Sequence, residues 1–135
     1  MESKLGHSLN RAMNRISNRR LRTAIYVFAF VVIGFILPWW SILIVAAFIG
    51  WFEQGLLRSA LAALIACFLA WFLLTLGFDI ANGFRISIRL GGLVGLPVPI
   101  IANIISATLG GIVAALFAAA TNQLRITLHL MRARS

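Results

Sequence analysis

The sequence predicts an all-α fold: an integral membrane four-helix bundle. Its first two spans form a short hairpin around Pro38, and an interfacial helix lies between spans three and four. Three observations predict it. Of the 135 residues, 61% are hydrophobic and only 11% are charged, against about 25% charged in an ordinary soluble domain. The apolar residues fall in blocks near the length a bilayer demands, roughly 20 residues. The charges gather at the block ends: Lys4, Arg11, Arg15, Arg19, Arg20 and Arg22 before the first, and Arg125, Arg132 and Arg134 after the last. The mean hydropathy is +0.99. One domain is expected, in three parts: a basic amphipathic N-terminal segment (1–22), a four-span transmembrane region (23–121) and a basic amphipathic C-terminal tail (122–135).

The first segment carries Leu5, Leu9, Met13 and Ile16 on one helical stripe, with the arginines mainly off it. That pattern fits a basic helix on an anionic membrane surface, or a solvated tail that only sets orientation. No cleaved secretory signal is expected, because "PWW" and further apolar residues stand where a small-residue cleavage site belongs.

The next element is an apolar run from Ala24 to Phe52 interrupted by Pro38-Trp39-Trp40. It is long for one crossing and short for two. Counting Lys and Arg decides between a kink and a hairpin. A hairpin puts both termini and Arg58 on one side and leaves only Arg85 and Arg89 on the other. A single kinked span moves Arg85 and Arg89 to the N-terminal side and sends Arg58 and the C-terminal arginines across. The positive-inside bias favours the hairpin, with both termini cytoplasmic. Pro suits the first turn of a new helix, and Trp39 and Trp40 suit the water–lipid boundary as interface anchors. The arms, Ala24–Leu37 and Ser41–Phe52, are short, reaching only ~20–25 Å. Phe28, Phe30, Phe35 and Phe48 suit lipid contact, and Gly34 and Gly50 close helix approach.

Spans three and four are Leu57–Phe78 and Ile100–Ala120. Small residues recur in them every four positions: Ala62, Ala66 and Ala70 in one row of span three; Ala102, Ser106, Gly110, Ala114 and Ala118 in one row of span four. Ser59, Ala63 and Cys67 form a second row in span three, and Ala107, Gly111, Ala115 and Ala119 in span four. Such rows let backbones approach closely in lipid, so these residues are the expected helix-packing face, within the chain and in a homo-oligomer.

Between these spans lies "DIANGFRISIRLGGLVGLPVP". As a helix it puts Asp79, Asn82, Arg85 and Arg89 on one face, a candidate polar site, and Ile80, Phe84 and Ile88 on another. A short interfacial helix is favoured over a strand, whose backbone would lie unpaired near lipid. Asp79 calls for a partner, and Arg85 or Arg89 is near enough in sequence to supply one. Asn103, Ser106 and Thr108 bond between or within helices, or line a polar track.

No catalytic, cofactor-binding or metal-binding constellation is visible. His7 and His129 lack carboxylates or cysteines at ligand spacing, and "GGLVGLPVP" lacks the lysine of a phosphate-binding loop. The lone Cys67 excludes an internal disulfide. An enzyme is not expected, and the clustered basic charge reads as a positive-inside flank rather than a nucleic-acid surface.

The blocks "LPWWSILIVAAF", "DIAN" and "ATLGGIVAALFAAAT" together resemble an uncharacterised family of small bacterial inner-membrane proteins, over roughly Ala24 to Arg125. The resemblance implies a compact helical protein of the cell inner membrane and transfers no catalytic residue. The functional expectation is a structural, accessory or assembly component. Its partners would be the bilayer, anionic lipid at the basic termini, and a second copy or a larger membrane protein. The alternative is a small oligomeric transporter or channel.

Overall fold

The computed structural model describes the backbone of residues 2–37, 39–95 and 98–132. Side chains are described for residues 18–37, 40–93, 95, 98 and 100–132. Among these the chain is all-helical, with five α-helices and no strand. They are α1 (Glu2–Ile36), α2 (Ile42–Phe52), α3 (Leu56–Ala81), α4 (Arg85–Val94) and α5 (Pro99–Arg132), with a 3-10 turn at Trp39–Ser41 leading into α2. Pro38 and the side chains of Leu5, Leu9, Met13, Ile16 and Trp39 lie outside the described residues.

α1 runs unbroken for 35 residues, so the basic segment and the first apolar block are one helix. α5 likewise carries the last apolar block into the basic tail without interruption. Neither junction contains the Gly or Pro that would end a helix.

Uninterrupted apolar length separates the helices into two classes, because α1, though 35 residues long, is basic up to Arg22. α3 and α5 have 26 and 34 residues, or about 39 and 51 Å at 1.5 Å per residue. Both are long and apolar enough to cross a hydrocarbon core of about 30 Å. α2 has only 11 residues, or about 16 Å. Among the described residues two helices, rather than four, thus meet the length and composition of a membrane crossing. The corner between Leu37 and Ser41 is the reason, because it divides one long apolar run into two short arms.

The chain does double back at that corner. Arg22, at the base of the first arm, forms an ion pair of 2.6 Å with Glu53, just past the end of the second. The Tyr26 hydroxyl donates to the same Glu53 Oε1 at 3.1 Å. Near the corner, Phe35 stacks on Phe78 of α3 with ring centroids 6.2 Å apart. The hairpin therefore runs alongside α3 as far as its last turns.

The core is made of small side chains. Ser59, Ala63, Ala66, Cys67 and Ala70 of α3 are buried, as are Ala107, Ala114 and Ala118 of α5. The buried stripe of α5 reads Asn103, Ala107, Gly111, Ala114, Ala118 and Asn122. A four-residue step overshoots a helical turn by about 40°, so a strict every-fourth row drifts off a straight interface. The single three-residue step from Gly111 to Ala114 restores the face. Ala102, Ser106 and Gly110 consequently flank the stripe, half-buried, while Ala114 lies in it. In α3, Ala66 and Ala70 are buried and Ala62 is half-buried.

One aromatic departs from its expected place. Phe28, Phe35 and Phe48 face outward, but Phe30 is buried. It belongs to the core cluster with Ala46, Ala63, Ala66 and Ala70, whose small side chains leave room for its ring.

Candidate functional site

Polar groups collect at the two opposite ends of the helices. At one end, α3 carries Asp79 in its last turns, with the residue only 4% exposed. The helix ends at Ala81, and two successive left-handed residues, Gly83 (φ 62°) and Phe84 (φ 60°), redirect the chain. Phe84 N–H donates to the Asp79 carbonyl at 2.7 Å, closing the turn. α4 then returns over the end of α3 and delivers Ser87, whose hydroxyl donates to Asp79 Oδ2. From α5, Asn103 Nδ2 donates to the same oxygen at 2.6 Å. One carboxylate thus ties α3, α4 and α5 together.

The partners are not the arginines expected from sequence. Arg85 and Arg89 are exposed, and among the described residues neither pairs with Asp79. The Asn82 amide donates to the Phe78 carbonyl at 3.0 Å instead. The grouping of Asp79, Asn82, Arg85 and Arg89 on one face assumed a continuous helix. The left-handed pair at Gly83-Phe84 breaks that register and substitutes Ser87, which sits between two isoleucines. Ser87 and Gly91 are the buried positions among the described side chains of α4, whereas Ile86, Leu90 and Leu93 are exposed. What results is a buried carboxylate held by neutral donors from Ser87 and Asn103. A charge so placed is expensive, and the hydrogen bonds offset part of that cost.

Midway, the Trp71 indole donates to Ser106 Oγ at 3.0 Å, linking α3 to α5. Thr108 faces outward and donates to its own helix at the Ile104 carbonyl, 2.7 Å away. Asn103, Ser106 and Thr108 therefore do not form a continuous track.

At the opposite end, α5 caps α2. The last carbonyls of any helix lack intrahelical donors. Asn122 Nδ2 supplies them, donating to the Gly50 carbonyl at 3.0 Å and the Glu53 carbonyl at 2.8 Å. Arg125 donates to the Trp51 carbonyl. Asn122 is fully buried, and its Oδ1 has no hydrogen-bond partner among the described residues. Gly50 makes this junction possible: a Cβ there would lie 2.3 Å from the Ala118 carbonyl oxygen. Arg19, Arg22 and Arg58 also gather at this end, around a cavity of about 260 Å³. Trp40, 49% exposed, marks the corner of the hairpin.

No group of three or more His, Cys, Asp or Glu side chains among the described residues could hold a metal ion. Cys67 is buried. Sequence reasoning missed Asn122 and Ser87. Their one available signal was a single polar residue in an otherwise apolar stretch, or at its edge. No protein-family model, curated protein or solved structure matches the chain.

Proposed function

We propose that the chain is a small integral protein of a cell inner membrane with a structural, accessory or assembly role and no enzymatic activity. Four segments lie in the bilayer, the first two as a short-armed hairpin, and both termini are cytoplasmic. The observation that carries this is the outer surface of α3. Leu57, Leu61, Ile65, Leu69 and Leu73 are exposed at every fourth position, on a helix with no charged residue between Arg58 and Asp79. Only 22% of its most apolar window, and 28% of that of α5, is buried inside the protein. A soluble protein would hide such helices; a lipid solvent accepts them outward-facing.

Support for a structural role comes from how the polar groups are used. Asp79, Ser87, Asn103, Trp71, Ser106 and Asn122 bond other helices or their carbonyls. α4 carries exposed Ile86, Leu90 and Leu93 beside Arg85 and Arg89, which fits a helix at the outer lipid boundary. The inner-membrane assignment rests on the clustered arginines and on the resemblance carried by "LPWWS". A second reading, a small oligomeric transporter or channel, draws on Asp79 alone, because a buried carboxylate without a cation is a feature of ion pathways.

The test is membrane extraction together with crosslinking. Alkaline carbonate should leave the chain in the membrane pellet. Cysteines on the outer face, at Leu69 or Leu116 in a Cys67→Ala background, should crosslink to a second copy or a partner. Release by carbonate would end the membrane reading. Flux through liposomes that is abolished by Asp79→Asn would favour the transporter.

A further inference from the structure

The cavity at the Glu53 end of α1 and α3 is lined by a basic cluster and, next to it along α3, by apolar side chains. Arg19, Arg22 and Arg58 line it, with Thr23 and Tyr26. Further along α3, Leu61 and Ile65 also line it, each nearly half exposed. Leu69 and Leu73 are exposed further along the same helix.

The charge within the cavity does not balance. Three arginines face one carboxylate, Glu53. Glu53 is committed to Arg22 at 2.6 Å and to the Tyr26 hydroxyl at 3.1 Å, and is itself well covered. Its role is to hold Arg22 in place at the cavity wall. Arg22 remains half exposed and keeps further N–H donors available. Arg19 and Arg58 have no carboxylate within ion-pair distance among the described residues. An anion of one or two charges would satisfy the cluster, and guanidinium groups match phosphate oxygens in geometry as well as charge.

We infer that this cavity is a binding site for an anionic phospholipid of the cytoplasmic leaflet. The phosphate sits among Arg19, Arg22 and Arg58, and an acyl chain runs down the Leu61–Ile65–Leu69 face of α3. The inference rests on the membrane reading above and narrows its general attraction to anionic lipid to one site. The shared chemistry is a phosphate oxyanion, and the apolar lining of the same cavity by Leu61, Ala62 and Ile65 favours a lipid over free phosphate.

The experiment uses the full chain in detergent. It is titrated with a short-chain phosphatidylglycerol, with the matching phosphatidylcholine and with inorganic phosphate, and bound ligand is read by native mass spectrometry. Phosphatidylglycerol should bind saturably, and the other two should not compete with it at equal concentration. Arg19→Gln with Arg58→Gln should weaken it about 30-fold, taking about 1 kcal/mol for each arginine near an anionic surface. Both residues are exposed and unpaired with acids, so the fold should persist, checked by unchanged thermal unfolding. Arg85→Gln with Arg89→Gln removes the same charge at the other end and should leave binding intact. Equal losses from both pairs would mean diffuse attraction and overturn the site. Competition by inorganic phosphate at equal concentration would overturn the lipid as its occupant. Failure here would leave carbonate-resistant membrane insertion untouched, so the two readings fail separately.

Discussion

Replacing glycines with alanine along the helix contacts should give a graded response that reads the packing directly. At Gly50 an added Cβ would meet Ala118 backbone at 2.3 Å from its oxygen and 3.0 Å from its Cα. No side-chain rotation can relieve a clash with backbone, so α2 must move away from α5. That displacement also strains the two bonds from Asn122 to the Gly50 and Glu53 carbonyls. Overpacking costs about 1–3 kcal/mol, and interhelical hydrogen bonds in membranes are worth about 0.6 kcal/mol each. Gly50→Ala should therefore lose about 2–4 kcal/mol. At Gly111 the nearest backbone atom, Leu64 O, would be 3.1 Å away, so a smaller loss is expected. At Gly110 the nearest atoms, in Trp71 and Cys67, would lie at 3.8–3.9 Å, an ordinary contact. Gly77 meets nothing within 4 Å, and there the better helix propensity of Ala should stabilise by about 0.5–1 kcal/mol. The assay is unfolding of the full chain in one fixed detergent–lipid mixture, followed by circular dichroism. The predicted order of stability is Gly77→Ala above Gly110→Ala, then Gly111→Ala, with Gly50→Ala last. A Gly50→Ala protein as stable as Gly110→Ala would refute the backbone contact between α2 and α5.

Two further outcomes follow from the polar ends. Asp79→Asn should be neutral or mildly stabilising, because its carbonyl can still accept from Ser87 and Asn103 while a buried charge disappears. Asp79→Leu should cost about 1–3 kcal/mol by leaving those donors unmatched, and should speed amide exchange in α4; equal damage from both variants would show that the charge itself is needed. A double-mutant cycle with Arg22→Gln and Glu53→Gln should give a coupling of about 0.5–1 kcal/mol, since Arg22 is half exposed and solvent screens the pair; no coupling would remove this ion pair as a clasp of the hairpin.

The helices and their small-residue faces were legible in the sequence because period and side-chain size carry that information directly. Gly34 and Gly50 were recognisable as contact points for the same reason, and the first does lie close to α3, with Leu74 Cδ1 3.3 Å from where its Cβ would be. The register of the α5 stripe was not legible, because rows spaced by four residues look continuous on paper while the interface drifts. Phe30 was misplaced because a ring can fill a gap between alanines on other helices, which no local pattern records. The partners of Asp79 were misread because two left-handed residues reset the phase between α3 and α4, and one of them, Phe84, is not a glycine. Asn122 escaped notice because its role depends on the end of α2, far away in sequence.

In the layout we propose, the chain reverses at the Pro38–Trp40 corner, which puts Gln54, the N-terminus and the C-terminal tail on one side of the membrane and α4 on the other. The most direct measurement is labelling of single cysteines, in a Cys67→Ala background, by a reagent that cannot cross lipid. Cysteines at Ser3, Gln54 and Ser135 should react only from the cytoplasmic side, and one at Arg89 only from the opposite side. Labelling of Gln54→Cys from the side opposite to Ser3→Cys would contradict the reversal and the placement of every site described above.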